Sequence, residues 1–238
     1  MNNYKKLIGV IAIIAITALT SCARAQAQRH CPEDHFTARP IAGGAGVEIT
    51  GYTGGNWEVR IPPSIRGLPV TAIGFTAFSD KGIINVTIPD SVTYIGHGAF
   101  ARNQLTSIII PNSVTVIGSQ SFAHNQLTSI TIPNSVTAIG VFAFFTNQLT
   151  SVTIPNSVTT IGEEAFGNNQ LTSVTIGNSA TNIAEDAFAG NQLTSITIPD
   201  NMSIRRWTFP HNFHAFYNNN GRRAGTYTWN GTSWSFSN

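Results

Sequence analysis

The sequence predicts a solenoid, in which short coils of chain stack so that each coil contacts only its neighbours. The phrase Leu-Thr-Ser-Ile/Val-x-Ile recurs every 22 residues, starting at Leu105, Leu127, Leu149, Leu171 and Leu193. A fixed period of this length is typical of repeat architectures. Only 10% of the 238 residues are Asp, Glu, Lys or Arg, against roughly 25% in an average soluble domain. A chain with so few charges depends on stacked apolar layers and backbone hydrogen bonds rather than on ion pairs.

Residues 1–21 have the three parts of an export signal. Lys5 and Lys6 give a positive start, residues 7–19 are apolar and uncharged, and small residues follow. The apolar run is shorter than the roughly 20 residues that span a bilayer, which favours a cleaved signal peptide. Removal of Lys5 and Lys6 leaves eleven basic and eleven acidic residues. A neutral chain has no overall attraction for nucleic acid, so no nucleic-acid partner is predicted.

The motif Leu-Thr-Ser-Cys at residues 19–22 ends this signal and resembles the bacterial lipobox. The resemblance implies that Cys22 becomes the first residue of the mature protein, carries lipid and anchors the protein to a membrane. Cleavage after Ala25 or Ala27, each of which ends a small-x-small pattern, is the alternative and would give a secreted protein. Residues 22–35 are expected to be a flexible linker.

Residues 36–74 are predicted to form an N-terminal β cap that includes the first coil. Residues 47–54 alternate apolar and polar side chains like a strand and end in a glycine-rich turn. The strand-and-proline phrase of the repeat first appears at residues 59–62. A repeat array needs such a cap because no preceding coil covers its first apolar layer.

Residues 75–198 contain the repeats. Side chains of a strand alternate, so the Leu and the Ile or Val residues of each phrase face the core, and the Pro ends the strand. A Phe closes each coil: Phe78, Phe100, Phe122, Phe144, Phe166 and Phe188. One coil alone cannot bury enough apolar surface to offset the ordering of its backbone. Only the stack, with parallel strands about 4.8 Å apart, is predicted to be stable.

The consensus Leu-x-x-Ile-x-Ile-Pro-x-Ser-Val-x-x-Ile-Gly-x-x-Ala-Phe resembles the BspA-like, or treponemal-type, leucine-rich repeat, over about residues 36–204. The resemblance implies a leucine-rich repeat solenoid with one short parallel β-strand per 22-residue coil and a short β or helical turn on the return side. It also implies a non-enzymatic bacterial surface protein, because several proteins of that family bind host matrix proteins, host cells or other bacteria.

The sequence departs from this family at one position. The family commonly has Cys three residues after the Phe, whereas this chain has Asn in a repeat one residue shorter: Asn103, Asn125, Asn147, Asn169 and Asn191. We expect these side chains to hydrogen-bond the turn backbone of the next coil, because buried turns must satisfy their amides. The Gln that follows each Asn is expected to be exposed.

The strand phrase also predicts a candidate binding face. The residues on either side of its central Ile or Val point away from the core. Nearly all carry small hydroxyls, and the candidates are Ser129, Thr131, Ser151, Thr153, Ser173 and Thr175. A face without titratable groups argues against catalysis and suits a flat or repetitive partner. Ice-binding solenoids have similar columns but usually need Thr in both, and a face that serves only β-propensity and solubility is a further alternative.

Specificity is expected where the copies differ, after the Ile-Gly of each coil. Phe142 and Phe145 are apolar at positions where the other coils have polar or small residues. If they are exposed, the two rings form a contact patch. If they are packed, they only fill the corner of one coil.

Residues 199–238 are predicted to form an aromatic-rich C-terminal cap. Residues 226–236 alternate around Asn-Gly, which predicts a β-hairpin on a two-residue turn. That register places Tyr227 opposite Trp234, with Trp229 and Phe236 on the same face.

Two interpretations of these rings are open. As a cap, they cover the last coil. As a site, Trp229 and Trp234 stack on a glycan or, beside nearby arginines, bind an acidic partner. His211 and His214 have a spacing used by some metal ligands, but no convergent Cys or carboxylate accompanies them, so no metal site is predicted.

The sequence contains no nucleophile elbow, phosphate loop or metal cluster, so neither enzymatic activity nor a cofactor is predicted. The predicted function is adhesion or protein binding at a bacterial envelope, outer membrane or cell surface, by a lipoprotein anchored through Cys22. The partner is a protein, such as a host matrix protein or a protein of another cell surface. The alternative is a secreted glycan-binding module centred on the C-terminal aromatic residues.

Overall fold

The computed structural model describes residues 30–200, 202, 204 and 208–237. The chain divides into two units, residues 1–31 and residues 32–238, and all elements below belong to the second unit. The predicted signal peptide and Cys22 lie outside the described residues. No described helix has the length and apolar character needed to cross a membrane.

The second unit is a β-solenoid of about seven turns, each of about 22 residues. Its strands are β1 (Phe36–Pro40), β2 (Val47–Tyr52), β3 (Glu58–Arg60), β4 (Ser64–Ile65), β5 (Leu68–Ile73), β6 (Asn85–Thr87), β7 (Tyr94–Ile95), β8 (Val116–Ile117), β9 (Ala138–Ile139), β10 (Ser151–Ile154), β11 (Thr160–Ile161), β12 (Ser173–Ile176), β13 (Asn182–Ile183), β14 (Ser195–Ile198), β15 (Gly225–Trp229) and β16 (Trp234–Ser237). A 3-10 turn, Glu33–His35, precedes β1, and one α-helix, α1 (Phe213–Asn219), precedes β15.

These strands form two principal sheets. The first has nine strands, in the order β1-β2-β5-β7-β8-β9-β11-β13, with β4 paired to β5. The second has the order β10-β12-β14-β15-β16, and β3 pairs with β6 separately. Equivalent residues pair directly, as Ile139 does with Ile161 and Ile161 with Ile183. One turn of the solenoid is therefore one sequence repeat, and the predicted parallel stacking is confirmed.

The longer ladder does not follow the Leu-Thr-Ser phrase. The first sheet runs through the Ile-Gly position of every coil, whereas residues 107–110 and 129–132 carry the phrase without forming strands. Backbone spacing gives the reason. Thr128 N lies 3.4 Å from Thr106 O, but Thr172 N lies 3.0 Å from Thr150 O. The earlier coils are spaced more widely there, so the second sheet becomes regular only from β10.

Stacked phenylalanines fill one end of the core. The six predicted rings are buried, and each lies nearly parallel to the next, with ring centroids 5.0–5.5 Å apart. Tyr52 of the N-terminal cap packs on Phe78 at 5.5 Å. Phe209 of the C-terminal cap stacks on Phe188 at 5.2 Å. Both caps therefore continue this column of rings and cover its ends.

The asparagine column satisfies the turn backbone beside these rings. Asn147 Oδ1 accepts the Leu127 N–H at 3.0 Å, and Asn147 Nδ2 donates to Phe122 O at 3.0 Å and Phe144 O at 3.1 Å. The other four Asn residues repeat this pattern. The predicted backbone hydrogen bonds are confirmed, but they reach back to the preceding turn of the solenoid rather than forward. The neighbouring Gln column is exposed, as predicted.

The C-terminal cap contains the predicted hairpin in a different register. Trp229 pairs with Trp234 and Tyr227 with Phe236, so the two-residue turn is wrong. Asn230 is the cause, because its Oδ1 accepts the backbone N–H groups of Thr232 and Ser233, both at 2.9 Å. This side-chain turn lengthens the loop to four residues. The register moves by two positions, so the aromatic residues still share one face.

The sequence did not predict α1. Its Tyr217 is fully buried, and the Tyr217 hydroxyl lies 3.0 Å from both Met202 N and Pro199 O. Burial raises the pKa of Tyr217 above its ordinary value. Phe213 of the same helix packs edge-on against Phe209, at 5.3 Å. The helix therefore fastens the end of the aromatic column to the hairpin.

Candidate functional site

The predicted hydroxyl columns lie on the outer side of the second sheet. In β10, Ser151 and Thr153 are exposed, while Val152 and Ile154 are only 4% and 1% exposed. Ser129, Thr131 and Thr175 are exposed in the same way, and Ser173 is half-buried. We call the outward residues of this sheet and of the preceding coil the hydroxyl face: Ser129, Thr131, Ser151, Thr153, Ser173, Thr175, Ser195, Thr197, Thr226, Thr228, Ser235 and Ser237.

The last four of these residues extend the face onto the C-terminal hairpin. Thr228 pairs with Ser195 on one side and Ser235 on the other. Thr226 likewise lies between Thr197 and Ser237. Thr197 Oγ1 and Thr226 Oγ1 are 2.9 Å apart, within hydrogen-bond distance. The cap therefore continues both hydroxyl rows, although its strands run antiparallel to β14.

A shallow groove of about 810 Å³ crosses this face. Five of the six predicted hydroxyl residues line it, and Ser173 does not. The groove ends at Ala224 and Gly225 of the cap. It carries no charged side chain among its described residues. The structure thus joins residues of at least four coils and the hairpin into one neutral surface.

Sequence analysis missed a third column in this groove. Asn134, Asn156 and Asn178 follow the strand phrase and are exposed along the lining. Asn178 N donates to Asn156 Oδ1 at 2.8 Å. The signal was available, because Asn follows the Pro in several copies and its regular recurrence marks a column.

The chemistry of the groove is that of a neutral hydrogen-bonding surface. Hydroxyl and carboxamide groups each donate and accept hydrogen bonds. Each coil repeats the same groups, with about 4.8 Å between neighbouring strands. None of the described lining residues titrates near neutral pH, so the groove has no group for acid–base chemistry. It suits reversible binding of an extended partner.

Phe142 and Phe145 form a separate corner. Their rings meet edge-to-face at 5.1 Å, and both are half-buried. A cleft of about 170 Å³ lies between them and His124. Burial, with the charge of Arg102 second, lowers the pKa of His124. Phe142 has φ 57°, a left-handed conformation that is unusual for a bulky residue. This corner is both partly packed and partly open.

Four carboxylates continue that side of the solenoid: Glu163, Glu164, Glu185 and Asp186. Burial raises the pKa of Glu164, and the neighbouring charges of Asp186 and Glu163 add to the effect. The described residues contain no group of three or more His, Cys, Asp or Glu side chains arranged to hold a metal ion.

The C-terminal aromatic residues lie on the opposite side of the second sheet from the hydroxyl face. Trp234 is 6% exposed, and its Nε1 donates to His211 O at 3.1 Å. Trp229 is half-buried and stacks on the His211 ring at 4.5 Å. Trp234 also packs against Phe213 at 4.9 Å. The structure thus separates the two predicted candidate sets, and the aromatic set packs within the cap.

The repeat itself identifies the family. A model of the BspA-type leucine-rich repeat region matches residues 71–193 and 137–220, with six copies. The chain belongs to this family. Leucine-rich repeat proteins generally bind other proteins and are typically not enzymes.

Solved structures support the assignment of this BspA-type protein. A leucine-rich repeat protein from Bacteroides ovatus ATCC 8483 is 25% identical, with a TM-score of 0.53, over 71% of this chain and 59% of its own. A leucine-rich cell surface protein from Faecalibacterium prausnitzii A2-165 is 27% identical, with a TM-score of 0.53, over 71% and 54%. The chain therefore spans little more than half of these proteins. No curated protein matches it.

Proposed function

We propose that this BspA-type protein is a non-enzymatic binding protein of the bacterial cell surface that holds a partner protein across the hydroxyl face, in adhesion. The observation that carries this proposal is the groove of about 810 Å³, which spans several coils and carries no described charge. A rigid, repeated surface is suited to a large and regular partner, because many weak hydrogen bonds add along it.

The location in the groove is tested by placing a charge there. Thr153→Lys and Thr175→Lys each put a long cation into a neutral groove, and a partner that buries them must desolvate that charge. We expect at least about a tenfold loss of affinity in a surface binding assay against purified extracellular-matrix proteins. Gln148→Lys adds the same charge on the exposed Gln column outside the groove, and should bind as the unmodified protein does. Equal binding by all three variants would remove the groove from the proposal.

Anchoring is proposed to depend on Cys22. Acyl chains on this residue contribute roughly 0.8 kcal/mol per buried methylene, so several chains hold the protein durably in a membrane. Cys22→Ala should move the protein from the membrane fraction to the soluble fraction of its host cell, as followed by immunoblotting. Cys31→Ala is the matched control and should leave the protein with the membrane. Membrane retention of Cys22→Ala would contradict lipidation at this residue.

A secreted glycan-binding module centred on Trp229 and Trp234 has less support. Trp234 is buried, and the Trp229 ring already stacks on His211. A sugar would have to displace these contacts in order to stack on either face.

A further inference from the structure

The two principal sheets end in edge strands of opposite character. The first sheet ends at β1, which combines three features that discourage strand addition. Its pairing with β2 has an irregularity between Thr37 and Ala38. It also contains the exposed Arg39, whose side chain pairs with Glu48, and Pro40, which has no N–H to donate.

The second sheet ends at β16, which has none of these features. Its sequence is Trp-Ser-Phe-Ser, without charge or proline. Its pairing with β15 is regular over all four residues. Ser235 and Ser237 are exposed, and Phe236 is only half-buried against Tyr227 at 4.9 Å. An unprotected edge of this kind is a template for another strand.

The hydrogen-bond pattern identifies the groups at this edge. Trp229 N donates to Thr194 O at 2.8 Å, toward β14. In an antiparallel ladder the residue opposite such a group directs its own N–H and C=O the other way. Trp234 is opposite Trp229, and Phe236 is opposite Tyr227. The backbone groups of Trp234 and Phe236 therefore face the outer edge of the sheet.

The chemistry of the edge limits what can pair with it. An added strand must continue the hydroxyl face on one side and cover the Phe236 ring on the other. β16 itself has this alternation, with Ser235 and Ser237 on one face and Trp234 and Phe236 on the other. Neither β15 nor β16 carries a charge, so a second copy meets no like-charge repulsion at the ladder.

We propose that β16 is a dimerisation edge, on which β16 of a second copy of this chain pairs antiparallel about a two-fold axis. A two-fold contact uses the same surface on both copies, and this strand is complementary to itself. The second sheet then passes without interruption from one copy into the other. The two hydroxyl faces become one surface, with both grooves on the same side.

The test measures the mass of the purified protein by light scattering during size-exclusion chromatography. We expect the mass to approach twice that of one chain as the concentration rises from about 1 to 100 µM, because association follows mass action. The amide hydrogens of Trp234 and Phe236 should exchange more slowly over the same range, since pairing occupies them. A protein that stays monomeric throughout, or that dimerises without protection of these two amides, overturns the proposal.

A pair of charges tests the edge directly. Ser235→Lys with Ser237→Lys places lysines on exposed positions, where like charges of the two copies lie opposite each other. This double variant should remain monomeric. Gln126→Lys with Gln148→Lys adds equal charge on the exposed Gln column and should dimerise like the unmodified protein. Circular dichroism establishes that both variants are folded, and dimerisation of the edge variant would contradict the assignment.

Discussion

Replacement of Asn147 by leucine is expected to lower the free energy of unfolding by about 3 kcal/mol. The two carbonyl groups that Asn147 binds each keep a second partner, because Asn125 donates to Phe122 O and Asn169 donates to Phe144 O. The Leu127 N–H, in contrast, has Asn147 Oδ1 as its acceptor. Leucine leaves that buried donor unsatisfied, in addition to removing two hydrogen bonds.

The measurement is urea unfolding followed by circular dichroism. Gln148→Ala is the matched control, since Gln148 is adjacent in sequence and exposed, and its effect should stay within about 0.5 kcal/mol. Asn147→Asp keeps the acceptor for Leu127 but replaces the donating amide with a buried carboxylate, so it should also destabilise the protein. If Asn147→Leu were as stable as the unmodified protein, the asparagine column would not hold the turns together.

Replacement of Gly118 by alanine is expected to cost about 3 kcal/mol. A β-carbon on Gly118 would lie 2.6 Å from Ile95 O and 2.7 Å from Gly96 C of the preceding turn. Both are backbone atoms of the first sheet, so no flexible side chain can move aside. The coils must separate locally, and the hydrogen bond from Gly118 N to Ile95 O, 2.8 Å long, is strained.

Gly55→Ala provides the control, because a β-carbon there meets no atom within 4 Å. Thermal unfolding should separate the two variants by many degrees. The last coil has Ala184 at the position of Gly118, so the close approach is a requirement of the inner coils. Equal stability of Gly118→Ala and Gly55→Ala would indicate that the coils tolerate wider spacing.

The stacking and the core were predictable because they depend on recurrence. Residues 22 positions apart must occupy equivalent places in a solenoid, so the Phe column, the Asn column and the outward Ser and Thr residues followed from alignment of the copies. The position of the longer ladder did not. It depends on small differences in backbone spacing between coils, as at Thr106 and Thr128, which repeated letters do not encode.

The cap was predictable only in outline, because it has no second copy for comparison. Asn-Gly indicated a two-residue turn, but the Asn230 side chain competes for the backbone amides and lengthens the loop. Phe209 continues the ring column from outside the repeat, and only the folded chain places it beside Phe188. The groove likewise needs Ala224 and Gly225 to close one end, so its extent could not be predicted.

The asparagine column gives the solenoid a direction. Asn147 lies 20 residues after the Leu127 amide that it satisfies. During synthesis the chain therefore emerges with its newest turn incomplete, and each turn is finished only by the one translated after it. The folded part lengthens from the N-terminal cap one coil at a time. Phe209 is translated after every repeat, so the final layer of rings closes last.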